Sequence, residues 1–186
     1  MAQNKSANGK KRNEKKIGFA TTSIHVGQEP DPSTGAVAVP IFATSTYVQE
    51  ELGKHKGYEY ARVSNPTRTR LETNLAALEG GSSAHVYASG MAAVTAITQC
   101  FLKQGDHLLC GHNVYGGVPR FFNQVVANYG VEFSYVNTSD LDAVKKAMRK
   151  NTRIIWIETP TNPLMVLTDI KEIAKIAHAS GAELVV

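Results

Sequence analysis

The stretch Asp106–Val136, DHLLCGHNVYGGVPRFFNQVVANYGVEFSYV, decides the fold. It opens with the short apolar run DHLLC and passes through the glycine-rich HNVYGG. It continues as VPRFFNQVVANYG, with apolar residues at helical spacing, and closes with a second apolar run, VEFSYV. Strand, amphipathic helix, strand is the unit that joins parallel strands, because parallel neighbours need a crossover connection.

The alternation continues outward in both directions. Upstream, NPTRTRLETNLAALEGG (65–81) offers Asn65 as N-cap, Pro66 at the first helical position, Leu71, Leu75 and Leu78 on one face, and Gly80-Gly81 as terminator. AHVYAS (84–89) reads as a strand and GMAAVTAITQCFL (90–102) as a helix ending near Gly105. Downstream, SDLDAVKKAMRK (139–150) is a helix with Ser139 as cap, TRIIWIE (152–158) a strand, DIKEIAKIAHASG (169–181) a helix and AELVV (182–186) a last strand. The pattern predicts an α/β fold with a mostly parallel sheet covered on both faces. In such sheets ligands bind beyond the carboxyl ends of the strands, so the loops that follow strands carry the chemistry.

Residues 17–64 differ, because Pro30, Pro32, Gly35, Pro40, Gly53 and Gly57 break every long pattern. They predict an irregular arm without a core of its own, of the kind that docks on another surface, often a second subunit. Residues 1–16 carry six cations against the single acid Glu14, and they account for all of the formal net charge of +4, leaving the body slightly negative. They read as a disordered basic tail. A nucleic-acid or organelle-targeting tail is the alternative, of which Glu14 and the lack of an amphipathic pattern weaken the transit-peptide form, and no apolar segment suits a signal peptide or a membrane span. Cys100 and Cys110 lack metal-site spacing and read as reduced core thiols of a cytoplasmic protein. His25, His85, His107 and His112 show no spacing for a metal or a triad.

Three loops hold the candidate site. YASGMAA (87–93) sets Ser89, Gly90 and Met91 at a strand-to-helix junction, where unpaired N–H groups and the helix dipole favour an anion. Small residues at such a turn serve simple packing equally well. Tyr115, in the glycine-flanked loop after the next strand, can stack on a flat ligand or pack on a helix. Glu158 and Asn162 follow a further strand in IETPTNPLM, stiffened by Pro160 and Pro163. Phosphate donors, a stacking ring and a polar pair on one sheet edge suit a phosphorylated planar cofactor.

TTSIHVGQEPD (21–31), GYEYARVSNPTR (57–68), ASGMAA (88–93), VYGG (114–117) and WIETPTNP (156–163) together resemble, in order, the Cys/Met-metabolism family of pyridoxal-phosphate enzymes. The resemblance covers about everything after the tail. It implies a fold-type-I architecture with pyridoxal 5'-phosphate as cofactor and residues 65–186 as an incomplete cofactor-binding domain. It further implies that the N–H groups of Gly90 and Met91 hold the cofactor phosphate, and that Tyr115 stacks on the ring and takes part in proton transfer. Asn162 then lies near the ring's phenolic oxygen with Glu158 in the same shell, and Arg120 contacts a substrate carboxylate. Tyr60 and Arg62 reach the phosphate of a neighbouring subunit, in a dimer of dimers. Guanidinium recognition of phosphate oxygens is bidentate, which fits that role.

By the same resemblance, an aspartate for the pyridinium nitrogen follows the strand Glu183–Val186 at once. The Schiff-base lysine and an arginine for the substrate α-carboxylate lie further on, and no lysine here occupies a matching motif. The expectation is an N-terminal part of a transsulfuration enzyme, truncated within its cofactor domain and without turnover as it stands. The activity implied for the longer protein is Cγ–S cleavage or γ-replacement on cystathionine or related sulfur amino acids. Gly117 stands where methionine γ-lyases place a cysteine, which ranks that activity lower, while lyase and synthase stay open. The reading from another class is a non-catalytic fragment that binds the cofactor phosphate or another protein.

Overall fold

The computed structural model describes residues 17–186; the basic tail lies outside them. The described residues form two compact units, one up to Val86 and one from Tyr87.

The second unit is built on four parallel strands: β1 (His107–Gly111), β2 (Glu132–Val136), β3 (Thr152–Trp156) and β4 (Glu183–Val185), in the order β2-β1-β3-β4. Each strand is joined to the next by helical crossovers, as the alternation in the sequence requires. Helix α3 (Gly90–Phe101) leads into β1, α4 (Gly117–Gln124) and a short 3₁₀ turn (Val126–Tyr129) join β1 to β2, α5 (Leu141–Ala147) joins β2 to β3, and α6 (Ile170–Ala179) joins β3 to β4.

Two apolar clusters cover the two faces. Leu108, Cys110, Ile154 and Trp156 pack with Val94 of α3 and Val118 and Phe122 of α4, and Leu109 and Ile155 with Val144 of α5 and Ile173 and Ala177 of α6. Alternate residues of β1 therefore enter opposite cores, which explains its unbroken apolar run. Phe122 is fully buried, stacked on Phe133 at 5.0 Å and edge-on to Trp156 at 5.7 Å.

In the first unit, α1 (Phe19–His25) and α2 (Pro66–Glu79) are joined by polar ties. The Asn74 amide donates to the carbonyls of Thr22, Ser23 and Val26, the C-terminal turn of α1. Gly27 has φ +73°, and a Cβ there would stand 2.9 Å from the Arg70 carbonyl oxygen, so the chain can pass α2 only as glycine. The Asn65 side chain caps α2 at Thr67 N–H and donates to the Phe42 carbonyl. Every buried hydrophobic residue among those described lies from Val94 onward, so the segment before α2 has no apolar core.

Several expectations need correction. The arm contains a helix, α1, and α2 lies in the same compact unit as α1. Leu71 and Leu75 are exposed because α2 is anchored through Asn74 and α1. AHVYAS forms no strand: its backbone makes no ladder among the described residues, and the Val86 N–H is taken by a Glu72 carboxylate oxygen at 3.2 Å. Asp140, not Ser139, caps α5, its Oδ1 accepting from Asp142 and Ala143 N–H at 3.0 Å each. Cys100 is exposed, and only Cys110 is a core thiol.

Candidate functional site

Ser89 caps α3, its Oγ and its carbonyl both taking the Ala92 N–H and its carbonyl also taking Ala93 N–H. The N–H groups of Gly90 and Met91, at the first two helical positions, have no acceptor within the helix. Nothing stands within 4 Å of where a Cβ of Gly90 would be, so the approach to these donors is open. They line a cavity of about 540 Å³ together with Ser89, Tyr115, Trp156, Glu158 and the end of β4. The cavity lies beyond the carboxyl ends of β3 and β4, where a doubly covered parallel sheet leaves room for a ligand.

Tyr115 stands in the loop between β1 and α4 and is 61% exposed, so burial does not fix its ring. Its N–H donates to Glu158 Oε2 at 2.9 Å. Glu158 follows Ile157, whose N–H donates to the Val185 carbonyl, so the carboxylate is carried on the end of the sheet. A Cβ at Gly117 would lie 2.5 Å from Tyr115 Cε1 and 3.1 Å from Met91 Sδ, so the ring lies directly over this glycine. Burial, with the Glu158 charge second, pushes the Cys110 thiol up to about 12, so this cysteine is inert at neutral pH.

The structure thus brings together Ser89, Gly90, Met91, Tyr115 and Glu158. Asn162 and Arg120 are exposed and lie outside the cavity lining. Tyr60 and Arg62 belong to the first unit, where the Arg62 guanidinium lies 4.9 Å from the centre of the Tyr60 ring. Two residues passed over in the sequence complete the loop geometry. Asn113 Nδ2 donates to Thr161 Oγ1 at 2.8 Å, and Thr161 Oγ1 also accepts from Val166 N–H. Both lie inside stretches singled out by their neighbours, yet nothing in either stretch announces that they meet. Among the described residues no cluster of His, Cys, Asp or Glu could hold a metal ion, and no helix is long and apolar enough to cross a membrane.

Paired donors at an open helix start, an aromatic ring and a cavity of this size fit a phosphorylated planar cofactor such as pyridoxal phosphate. Comparison with known proteins reaches the same chemistry. The probable cystathionine γ-synthase of Herpetosiphon aurantiacus is 51% identical over 164 residues, which is 88% of this chain and 51% of that protein. The cystathionine γ-lyase of Bacillus subtilis is 47% identical over 166 residues, covering 89% of this chain and 44% of that protein. The crystal structure of metB from Corynebacterium glutamicum superposes with a TM-score of 0.88 at 44% identity, over 91% of this chain and 44% of the other. The chain spans about half the length of the curated relatives it matches. The pattern of the Cys/Met metabolism PLP-dependent enzymes matches residues 20–186, and the chain belongs to that family.

Proposed function

We propose that the protein carrying this chain is a pyridoxal-phosphate enzyme of transsulfuration, acting on cystathionine or a related sulfur amino acid by Cγ–S cleavage or γ-replacement. The observation that carries this reading is the cavity at the ends of β3 and β4, where the open N–H pair of Gly90 and Met91 and the Tyr115 ring meet. One of the two relatives described above is named a synthase and the other a lyase, which supports the reaction class common to both. When bound, the cofactor supplies an electron sink for the amino acid's α-carbon.

The residues of the chain divide the remaining work. Gly90 and Met91 bind the phosphate through backbone N–H groups, helped by the dipole of the twelve-residue helix α3. Tyr115 covers the ring and moves a proton at its hydroxyl. Asn162 serves the ring's phenolic oxygen, and Arg120 a substrate carboxylate. Tyr60 and Arg62 serve the phosphate of a neighbouring subunit; the Arg62 guanidinium lies 4.9 Å from the centre of the Tyr60 ring, so the two side chains are presented together. Such an arrangement also gives the coreless arm a surface to lie on.

The test is to supply the whole protein with pyridoxal phosphate and L-cystathionine, or with an activated homoserine ester and cysteine. The expected results are release of 2-oxobutyrate and thiol in the first assay, or formation of cystathionine in the second. Tyr115→Phe should lower kcat by about 10²-fold or more, the scale of a lost proton-transfer group. Absence of product in both assays, with no quenching of Trp156 fluorescence by the cofactor, would refute the reading.

A further inference from the structure

The loop His112–Gly116 presents Tyr115 to the cavity. Val114 packs against the core, but Tyr115 itself is largely exposed and Gly116-Gly117 follow it, so packing does not fix its ring. Two side-chain hydrogen bonds cross from it to the loop after β3. Tyr115 N–H donates to Glu158 Oε2 at 2.9 Å, and Asn113 Nδ2 donates to Thr161 Oγ1 at 2.8 Å. The receiving side is the firmer one. Thr161 is buried, its N–H donates to the Val166 carbonyl, and Glu158 is carried on the β3 end that Ile157 ties to β4. A third tie, His112 N–H to the Val136 carbonyl, joins the base of the loop to β2.

We propose that Glu158 and Asn113 are positioning residues, forming a two-point latch that pins the loop after β1 to the loop after β3 and holds the Tyr115 ring over the cavity. Glu158 then acts through Tyr115 and does not contact the ligand. One of its carboxylate oxygens, Oε2, accepts the backbone N–H, a role that a glutamine oxygen can replace and a leucine cannot. The latch itself rests on geometry in this chain; its consequence for ligand binding rests on the cofactor reading above.

The experiment compares Glu158→Gln, Glu158→Leu and Asn113→Ala with the parent by two readouts. One is hydrogen exchange of the peptide 112–117 by mass spectrometry, without ligand. The other is the affinity for pyridoxal phosphate from quenching of Trp156, which lines the cavity. Glu158→Leu and Asn113→Ala should each speed exchange of this peptide about five- to tenfold, and Glu158→Leu should weaken cofactor binding by a similar factor, while Glu158→Gln stays within about twofold on both.

The latch is overturned if exchange is unchanged in Glu158→Leu. It is overturned too if Glu158→Gln is as impaired in binding as Glu158→Leu while the loop stays protected, because that outcome means direct contact of the charge with the ligand. If Glu158→Leu does not fold, Asn113→Ala decides: unchanged exchange across 112–117 in that variant overturns the proposal. Faster exchange in a protein that binds no pyridoxal phosphate supports the latch and refutes only the cofactor reading.

Discussion

At the scale of single residues, Gly117 shows how a missing side chain shapes a site. A Cβ there would lie 2.5 Å from Tyr115 Cε1, but that ring is exposed and can swing aside. Gly117 is also the first residue of α4, with no positive φ, where alanine is the better helix former. Stability and binding should therefore move independently. Gly117→Ala should leave unfolding free energy unchanged to within about 0.5 kcal/mol, or raise it. Displacing the ring should cost a stacking contact of about 1 kcal/mol, or roughly fivefold in pyridoxal phosphate affinity. Thermal melts and Trp156 quenching check the two halves; a variant that binds as tightly as the parent shows that the ring does not touch the ligand.

Among the elements, the strands and helices from Gly90 to Val185 were legible because each carries its signal locally, as an apolar run or a helical period. What failed was what depends on a neighbour. AHVYAS has strand composition, but a strand exists only beside another. Leu71 and Leu75 have the spacing of a buried face, but α2 is tied to α1 through the polar Asn74. The start of α5 shows the same limit at short range. In Asn-Thr-Ser-Asp either Ser139 or Asp140 can cap by type; Asp140 does so, its Oδ1 accepting from Asp142 and Ala143 N–H, while the Ser139 N–H and hydroxyl both donate to Asn137 Oδ1. Asp140→Ala should accordingly cost about 1 kcal/mol of stability and Ser139→Ala under about 0.5 kcal/mol. Denaturant titrations check this, and equal losses in the two variants would contradict the capping assignment.

Across the whole molecule, the candidate site was legible to the extent that its parts follow successive strands, and hidden where two loops meet side chain to side chain, as Asn113 and Thr161 do. His107 was hidden in the same way. The sequence gives it no partner spacing, whereas the structure buries it completely at the start of β1, Nδ1 against Thr152 Oγ1 at 2.8 Å and Nε2 without a partner. Burial, and after it the Arg149 charge, hold its pKa below the ordinary 6.5, with Glu132 opposing. The sign follows from linkage. Below 6.5 the unfolded chain binds a proton that the folded chain resists, so folding stability is full above 6.5 and falls with pH through the window down to the lowered folded value. Acidification from pH 7 to pH 5 should therefore lower the melting temperature, and His107→Gln, which stays neutral, should flatten that part of the profile. Melting curves of parent and variant across this range, in one buffer at constant ionic strength, measure the difference. Parallel profiles would mean that His107 takes its proton as readily in the folded protein as in the unfolded one, and that the buried Nε2 is reached by solvent.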